Sequence, residues 1–325
     1  MGDKFAVGVD LGGTKILAGV VNLTTGQILS AAKKKTRVVE EGSELVKRIA
    51  ACIGDALQDA AAVDAKFESK KLVGIGVGAA GMVDRENGIL LAAANIGGTN
   101  DLAIAEPLSA QYGLPVKLGN DVEVATLGEL YFGAGRECDN FVCMFIGTGI
   151  GSGIVNNGKI YRGGYGTAGE VGHMIVVPDG LPCGCGGYGC LETYASRTAI
   201  AKTVLYDIQH GMDTVLADKI DANKGILRSK AIAQGLEIND HSTVRAITQA
   251  AQYLGIGLAS VINFYNPKRI ILGGGLVEAV PHFFDLAELE ARRRALRIPS
   301  RKTEIVRAEL GDYAGTIGAA LLLRS

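Results

Sequence analysis

No stretch of the 325 residues offers the roughly 20 uninterrupted apolar side chains that a bilayer-spanning helix needs. Charge of one sign is missing as well. The 33 Lys and Arg against 34 Asp and Glu leave a net charge of −1, too little to draw the whole protein to nucleic acid or an anionic membrane. There is no Walker A lysine motif and no G-x-G-x-x-G entering a helix, which argues against P-loop and Rossmann folds. Nor is there an apolar signal-peptide core near the start, where Lys4 leads into a strand-like stretch ending at Asp10. These absences predict a cytoplasmic protein with neither a membrane nor a nucleic acid as partner.

What is present is a 48% hydrophobic chain with 46 glycines, a composition for a large core joined by tight turns, at a length that suggests about two domains. Phe5–Asp10 and Lys15–Val21 read as strands joined by the turn Leu11-Gly-Gly-Thr14. Helices are predicted over 43–62, 101–112, 121–132, 243–262, 283–295 and 314–323, and strands over 72–78, 116–118 and 268–272. Residues 205–242 read as polar and helix-like. The opening then recurs: Asn140–Ile146 is a strand, Gly147–Gly151 a glycine turn and Ser152–Val155 a return strand. This duplication predicts two similar α/β lobes with a cleft between them, one formed by 1–122 with 312–325 and the other by 123–311.

Three glycine turns follow strand ends. Asp10-Leu-Gly12-Gly13-Thr14 joins a carboxylate, two glycines and a hydroxyl, so that backbone N–H groups can approach phosphate while Asp10 holds Mg2+ through water. Gly147-Thr148-Gly149 offers similar equipment, and Gly273-Gly274-Gly275 is an edge where adenosine could lie. Each alone more often marks an ordinary hairpin; the three together favour a nucleotide site. Lys15 reads either as a phosphate contact or as a solvated strand residue.

The six cysteines fall into two groups. Cys52, Cys138 and Cys143 lie in apolar or helical context and read as buried thiols, which a reducing compartment permits. Cys183, Cys185 and Cys190 crowd into one loop after His173. One nitrogen and three sulfurs make a closed tetrahedral set suited to structural Zn2+, with no open position to activate water. Glu170, three residues before His173, and Glu192, two after Cys190, would be pinned by that loop. Asp121, after Asn120 at a helix start, reads either as a cap or as a catalytic base.

Asp10-Leu-Gly-Gly-Thr-Lys15, Gly119-Asn-Asp-Val122, Ile146-Gly-Thr-Gly-Ile-Gly151, Gly169-Glu-Val-Gly-His173, Cys183-Gly-Cys-Gly-Gly-Tyr-Gly-Cys-Leu-Glu192 and Leu272-Gly-Gly-Gly275 together resemble the ROK family of bacterial sugar kinases and repressors. The resemblance covers nearly the whole chain. It implies an actin-like (ribonuclease H-like) two-lobed ATPase fold, ATP·Mg between the first two glycine turns, and a homodimer or homotetramer. It also implies Asp121 as the base, with Gly81, Asn120, Glu170, His173 and Glu192 at the sugar. His173 would face the sugar with one ring nitrogen and zinc with the other. One segment departs from the family pattern: there is no Trp, and either Asn95 or Asn100 takes the remaining sugar contact, with Asn100 favoured by its distance to Pro107.

The function implied is ATP-dependent phosphorylation of a hexose, glucose to glucose 6-phosphate. N-acetylmannosamine, N-acetylglucosamine or fructose are alternative substrates, and polyphosphate an alternative donor. Met82 beside Gly81 offers no hydrogen bond, which leans toward an unmodified hexose. Family repressors carry an N-terminal helix-turn-helix of roughly 70–80 residues. With four residues before the first strand and no basic stripe, a regulator is the weaker expectation.

Overall fold

Runs of Val, Ile, Leu, Ala and Gly that read as strands are strands in the computed structural model, which describes residues 4–36, 42–63, 67, 72–93, 96, 100–221 and 225–324. The chain divides into two compact units, Met1–Arg136 with Asp312–Ser325 and Glu137–Gly311.

In the first unit β1 (Phe5–Leu11), β2 (Lys15–Asn22) and β3 (Ile28–Lys35) run antiparallel, and α1 (Gly42–Val63) follows. The strand β4 (Leu72–Ala79) then pairs parallel to β1. A small sheet holds β5 (Met82–Asp84), β6 (Ile89–Ala92) and β7 (Leu102–Ala103). After α2 (Ala105–Tyr112) the strand β8 (Val116–Asn120) pairs parallel to β4 and runs straight into α3 (Asp121–Phe132). The sheet order is β3-β2-β1-β4-β8. The apolar face of α1, with Leu45, Ile49 and Ile53 fully buried, shares one core with Val7, Val9, Ile75 and Val77. The helix expected over 101–112 is shortened, because the N–H groups of Ile104 and Ala105 both donate to Gly88 O at 3.1 Å and hold the preceding residues in β7.

The second unit repeats the pattern. Antiparallel β9 (Phe141–Ile146), β10 (Ile150–Asn156) and β11 (Lys159–Tyr161) precede a 3-10 turn at Val171–His173. Next come α4 (Glu192–Ala195), α5 (Arg197–Gln209), α6 (Ser229–Glu237) and the long α7 (His241–Tyr265). The strand β12 (Arg269–Gly273) pairs parallel to β9; α8 (Gly275–Ala279), α9 (Pro281–Arg294) and α10 (Arg297–Lys302) lead to β13 (Glu304–Arg307), parallel to β12. The order β11-β10-β9-β12-β13 has the same directions as the first sheet. Residues 205–242, expected to be helix-like, are broken between α5 and α6 by a turn at Gly211, whose φ is 80°. Among the described residues no helix is long and apolar enough to cross a membrane.

The first unit continues through α3 to Arg136 rather than ending at 122, and the packing of the C-terminal helix Ala314–Leu321 gives the reason. Every residue of that helix is buried, and it lies on β1, β4 and α3 with backbone against backbone. A Cβ on Gly8 would stand 1.8 Å from Thr316 O, one on Gly76 1.8 Å from Ala319 O, and one on Gly318 1.6 Å from Val124 O. No side chain fits at these three contacts. Gly8→Ala is therefore expected to destabilise the protein by about 3 kcal/mol or more. Gly54→Ala, whose methyl would meet only Tyr112 Oη at 3.8 Å inside α1, should stabilise it by about 0.5–1 kcal/mol. Urea denaturation of both variants checks the two signs.

Candidate active site and metal centre

Within the first unit the site is built on the C-terminal ends of β1, β4 and β8. The β1–β2 turn is closed by Gly12 N–H donating to Lys15 O at 3.0 Å, and is tied to the end of β3 by Thr36, whose hydroxyl donates to Gly12 O at 2.6 Å and whose N–H donates to Thr14 O at 3.1 Å. Gly12, Gly13 and Thr14 thus keep solvent access on a fixed frame. Lys15, open between two readings from sequence, pairs with Asp312 at 2.8 Å.

At the end of β8 the choice between cap and base resolves in favour of Asn120 as the cap. Its Oδ1 accepts the N–H of Val122 at 3.0 Å and of Glu123 at 3.1 Å, satisfying two donors of the first turn of α3. Its Nδ2 donates to Gly81 O at 3.1 Å, which joins the loop after β4 to the helix start. Gly81 holds φ 138°, and a Cβ there would lie 2.2 Å from Ala92 O. Asp121 is consequently not needed as the cap. Asn100 is exposed in the turn before β7, and no hydrogen bond among the described residues joins it to Gly81 or Asn120. Asn95 lies outside the described residues.

Asp10 carries a large shift in this unit. Its pKa rises from an ordinary 3.8 to about 7, first through burial, then through the charge of Asp121, with Lys15 opposing and Asp312 adding a smaller push. The burial has a visible source: the carboxyl lies against the C-terminal helix, so that a Cβ on Gly315 would be 2.9 Å from Asp10 Cγ. The glycine turn and Asp121 therefore share one electrostatic neighbourhood.

In the second unit the β9–β10 turn is anchored from α4 and α5. Glu192 Oε2 accepts the Ile150 N–H at 2.7 Å and approaches Gly149 so closely that a Cβ there would meet it at 2.1 Å. Arg197 N–H donates to Gly147 O at 2.9 Å, Thr198 Oγ1 donates to Thr148 O at 2.7 Å, and the Arg197 guanidinium donates to Thr148 Oγ1 at 2.7 Å. The third glycine turn adjoins the second: Gly274, at φ 90°, would place a Cβ 2.6 Å from Ile146 O, and Gly273 packs on Phe145.

The expected metal ligands converge. The donor atoms of His173, Cys183, Cys185 and Cys190 all lie within 4.8 Å of one another. Cys185 Sγ to Cys190 Sγ is 3.8 Å, and Cys183 Sγ to His173 Nδ1 is 3.6 Å. Donors held tetrahedrally at zinc bond lengths of ~2.0–2.3 Å would be separated by ~3.5–3.8 Å, so the set fits a structural Zn2+. Turn hydrogen bonds shape the loop, with Cys183 N–H donating to Gly187 O at 2.8 Å and Gly189 N–H to Leu181 O at 2.8 Å. Gly189, at φ 74°, presses so close that a Cβ would meet Val177 O at 1.7 Å. Burial, and then the neighbouring sulfurs, push the Cys190 thiol up to about 12, whereas backbone and thiol hydrogen bonds lower Cys185. Held as thiolates, the three sulfurs would need a divalent counter-charge.

His173 turns Nδ1 to the cysteines and leaves Nε2 on the side of Glu170, whose Oε2 is 3.9 Å away. Glu170 is exposed. Its segment is held to β10 by Ser152, whose hydroxyl donates to Gly169 O and accepts the Val171 N–H at 3.2 Å. Sequence reasoning missed Ser152, Asp312 and Arg197. A serine on a strand and charges far along the chain carry no motif, and only the fold brings them to the site. Cys52, Cys138 and Cys143 are buried and form no disulfide, as expected of buried thiols.

The ROK family model matches residues 6–325, and the chain belongs to the ROK family. It is 35% identical over 325 residues to a glucokinase of Halalkalibacterium halodurans, covering 100% of this chain and 96% of that one. The solved ROK family glucokinase of Streptomyces griseus, in complex with glucose and AMPPNP, is 34% identical with a TM-score of 0.84, covering 98% and 99% of the two chains. A solved ROK family transcriptional regulator, a homologue of the E. coli MLC protein, is 30% identical with a TM-score of 0.83, covering 98% of this chain and 78% of that one. The fold is the actin-like ATPase fold of these structures.

Two outcomes test the site's physics. A carboxyl whose pKa is raised on folding binds its proton more tightly in the native state, so stability falls as pH rises from about 4 to about 7 and is level above. Asp10→Asn removes that loss: relative to the parent it should gain about 2 kcal/mol between pH 5 and pH 8 in urea titrations. Cys190→Ser should abolish stoichiometric zinc in a colorimetric release assay and cost several kcal/mol, with both units keeping their sheets by circular dichroism.

Proposed function

We propose that the protein is an ATP-dependent sugar kinase that phosphorylates glucose at O6, working in the reducing cytoplasm with ATP·Mg as donor. The observation that supports this reading is the register of the sheet, in which Asp10 on β1 lies opposite Gly78 on β4 and Gly78 lies opposite Gly119 on β8, two residues before Asp121. A carboxylate spared from capping α3 lies close enough to the Asp10 glycine turn for its charge to raise Asp10. Phosphoryl transfer to an alcohol needs this juxtaposition of a proton acceptor and a phosphate cradle.

In the reaction Asp121 takes the proton of the sugar hydroxyl as that oxygen attacks the γ-phosphoryl in line. Backbone N–H groups of Gly12, Gly13, Gly147 and Gly149, with the Thr14 and Thr148 hydroxyls, receive the charge that develops on the phosphoryl oxygens. Asp10 would hold Mg2+ through water, which supplies further neutralisation. The adenosine lies along Gly273-Gly274.

Asn120, Glu170, His173 and Glu192 hydrogen-bond the ring hydroxyls, with Gly81 and Asn100 beside the sugar. Glu192 serves with its second oxygen, since Oε2 is already engaged by Ile150. Structural zinc on His173 Nδ1 would keep the proton on Nε2, making that nitrogen a donor toward the sugar. Met82, 58% exposed next to Gly81, presents no polar partner for an N-acetyl group, which supports an unmodified hexose.

A coupled assay across glucose, mannose, fructose and the two N-acetyl hexosamines should give the highest kcat/KM for glucose. Asp121→Asn should lower kcat at least about 100-fold while zinc content and melting temperature hold. Higher efficiency on an acetylated sugar would overturn the substrate. Full activity of the variant would remove Asp121 from its role, and glucose binding without turnover in the parent would favour a regulator.

A further inference from the structure

Arg197 is the first residue of α5 and touches the β9–β10 turn twice. Its main-chain N–H donates to Gly147 O at 2.9 Å, and its guanidinium donates to Thr148 Oγ1 at 2.7 Å. The main-chain bond, together with Thr198 Oγ1 on Thr148 O at 2.7 Å, already fixes the turn's carbonyls. The side chain is not required for that bracing. What it adds is chemical: the Thr148 hydroxyl, accepting from Arg197, has its proton directed elsewhere as a donor.

A half-buried guanidinium usually finds a carboxylate, because desolvating a cation without a counter-charge is costly. Among the described residues Arg197 forms no ion pair, and burial is the one influence that lowers its pKa. Other part-buried arginines do find one: Arg85 meets Glu123, Arg245 meets Asp207 and Arg292 meets Glu288. Of its five N–H groups, four remain after the bond to Thr148, in a planar fork suited to phosphate oxygens. We propose that Arg197 is a nucleotide-binding residue whose guanidinium contacts the β- and γ-phosphates beside the Gly147-Thr148-Gly149 turn and orients the Thr148 hydroxyl toward them. The inference rests on the kinase reading and adds to it a cation outside the sequence motifs that carry that reading.

The test is calorimetric titration of the full-length, zinc-loaded protein with Mg·AMPPNP, Mg·ADP and adenosine, for the parent, Arg197→Met and Arg197→Lys. The Met variant should bind AMPPNP roughly tenfold or more weakly, lose less with ADP and leave adenosine unchanged. Lys should recover part of the loss. In kinetics KM for ATP should rise while KM for glucose stays constant. If the Met variant folds poorly, the Lys variant and the salt dependence of AMPPNP binding carry the same comparison. Equal weakening of all three ligands would mean that Arg197 only supports the turn and would overturn the inference, as would unchanged affinity. Parent protein that binds no nucleotide at all would defeat the kinase reading and this inference together; parent binding with a silent variant defeats only the latter.

Discussion

The loop that braces the β9–β10 turn of the second unit depends on one cluster of four donors. Between the 3-10 turn at Val171–His173 and α4 at Glu192, the chain has no regular secondary structure beyond isolated bridges at Ile175–Cys190 and Pro182–Tyr188. His173, Cys183, Cys185 and Cys190 close that segment on a single point. Loop closure of this kind exchanges the entropy of a glycine-rich segment for bonds to one ion. Glu192, two residues beyond the last ligand, then accepts the Ile150 N–H and so fixes the β9–β10 turn. One linkage thus runs from the four-donor cluster through a carboxylate to a glycine turn, and a metal held by four protein ligands there would do positional rather than chemical work.

In the first unit backbone packing of the C-terminal helix does the bracing. Gly8, Gly76 and Gly318 let the C-terminal helix lie directly on β1, β4 and α3. That seam brings Gly315 against the Asp10 carboxyl and raises its pKa. It also brings Asp312 to Lys15 at 2.8 Å. A single buried helix from the end of the chain therefore sets the electrostatics of a turn near its beginning.

Much of this was legible before any coordinates. Strand–glycine turn–strand at Asp10–Thr14 and again at Ile146–Gly151 carries the duplication, and α3 runs over 121–132 from the polar pair Asn120-Asp121, as expected. The Cys183, Cys185, Cys190 and His173 spacing carried the metal cluster because ligand chemistry is local to one loop. Asn120 and Asp121 illustrate a limit. Both side chains can cap a helix, and only the bonds to Val122 and Glu123 assign that task to Asn120. The sequence of 101–112 predicts helix throughout, but the Ile104 and Ala105 N–H groups donate to Gly88 O in the β5–β6 hairpin, and this pairing overrides local propensity to give the short strand β7. Ser152, Asp312 and Arg197 were invisible for the same reason: their partners are set by tertiary packing, not by neighbours in sequence.

Zinc K-edge X-ray absorption on the purified protein addresses the linkage at its origin. One equivalent of zinc with three sulfurs at ~2.3 Å and one nitrogen at ~2.0 Å is the expected first shell. Protein that carries no zinc, or zinc in a shell of oxygen and nitrogen alone, would contradict the account.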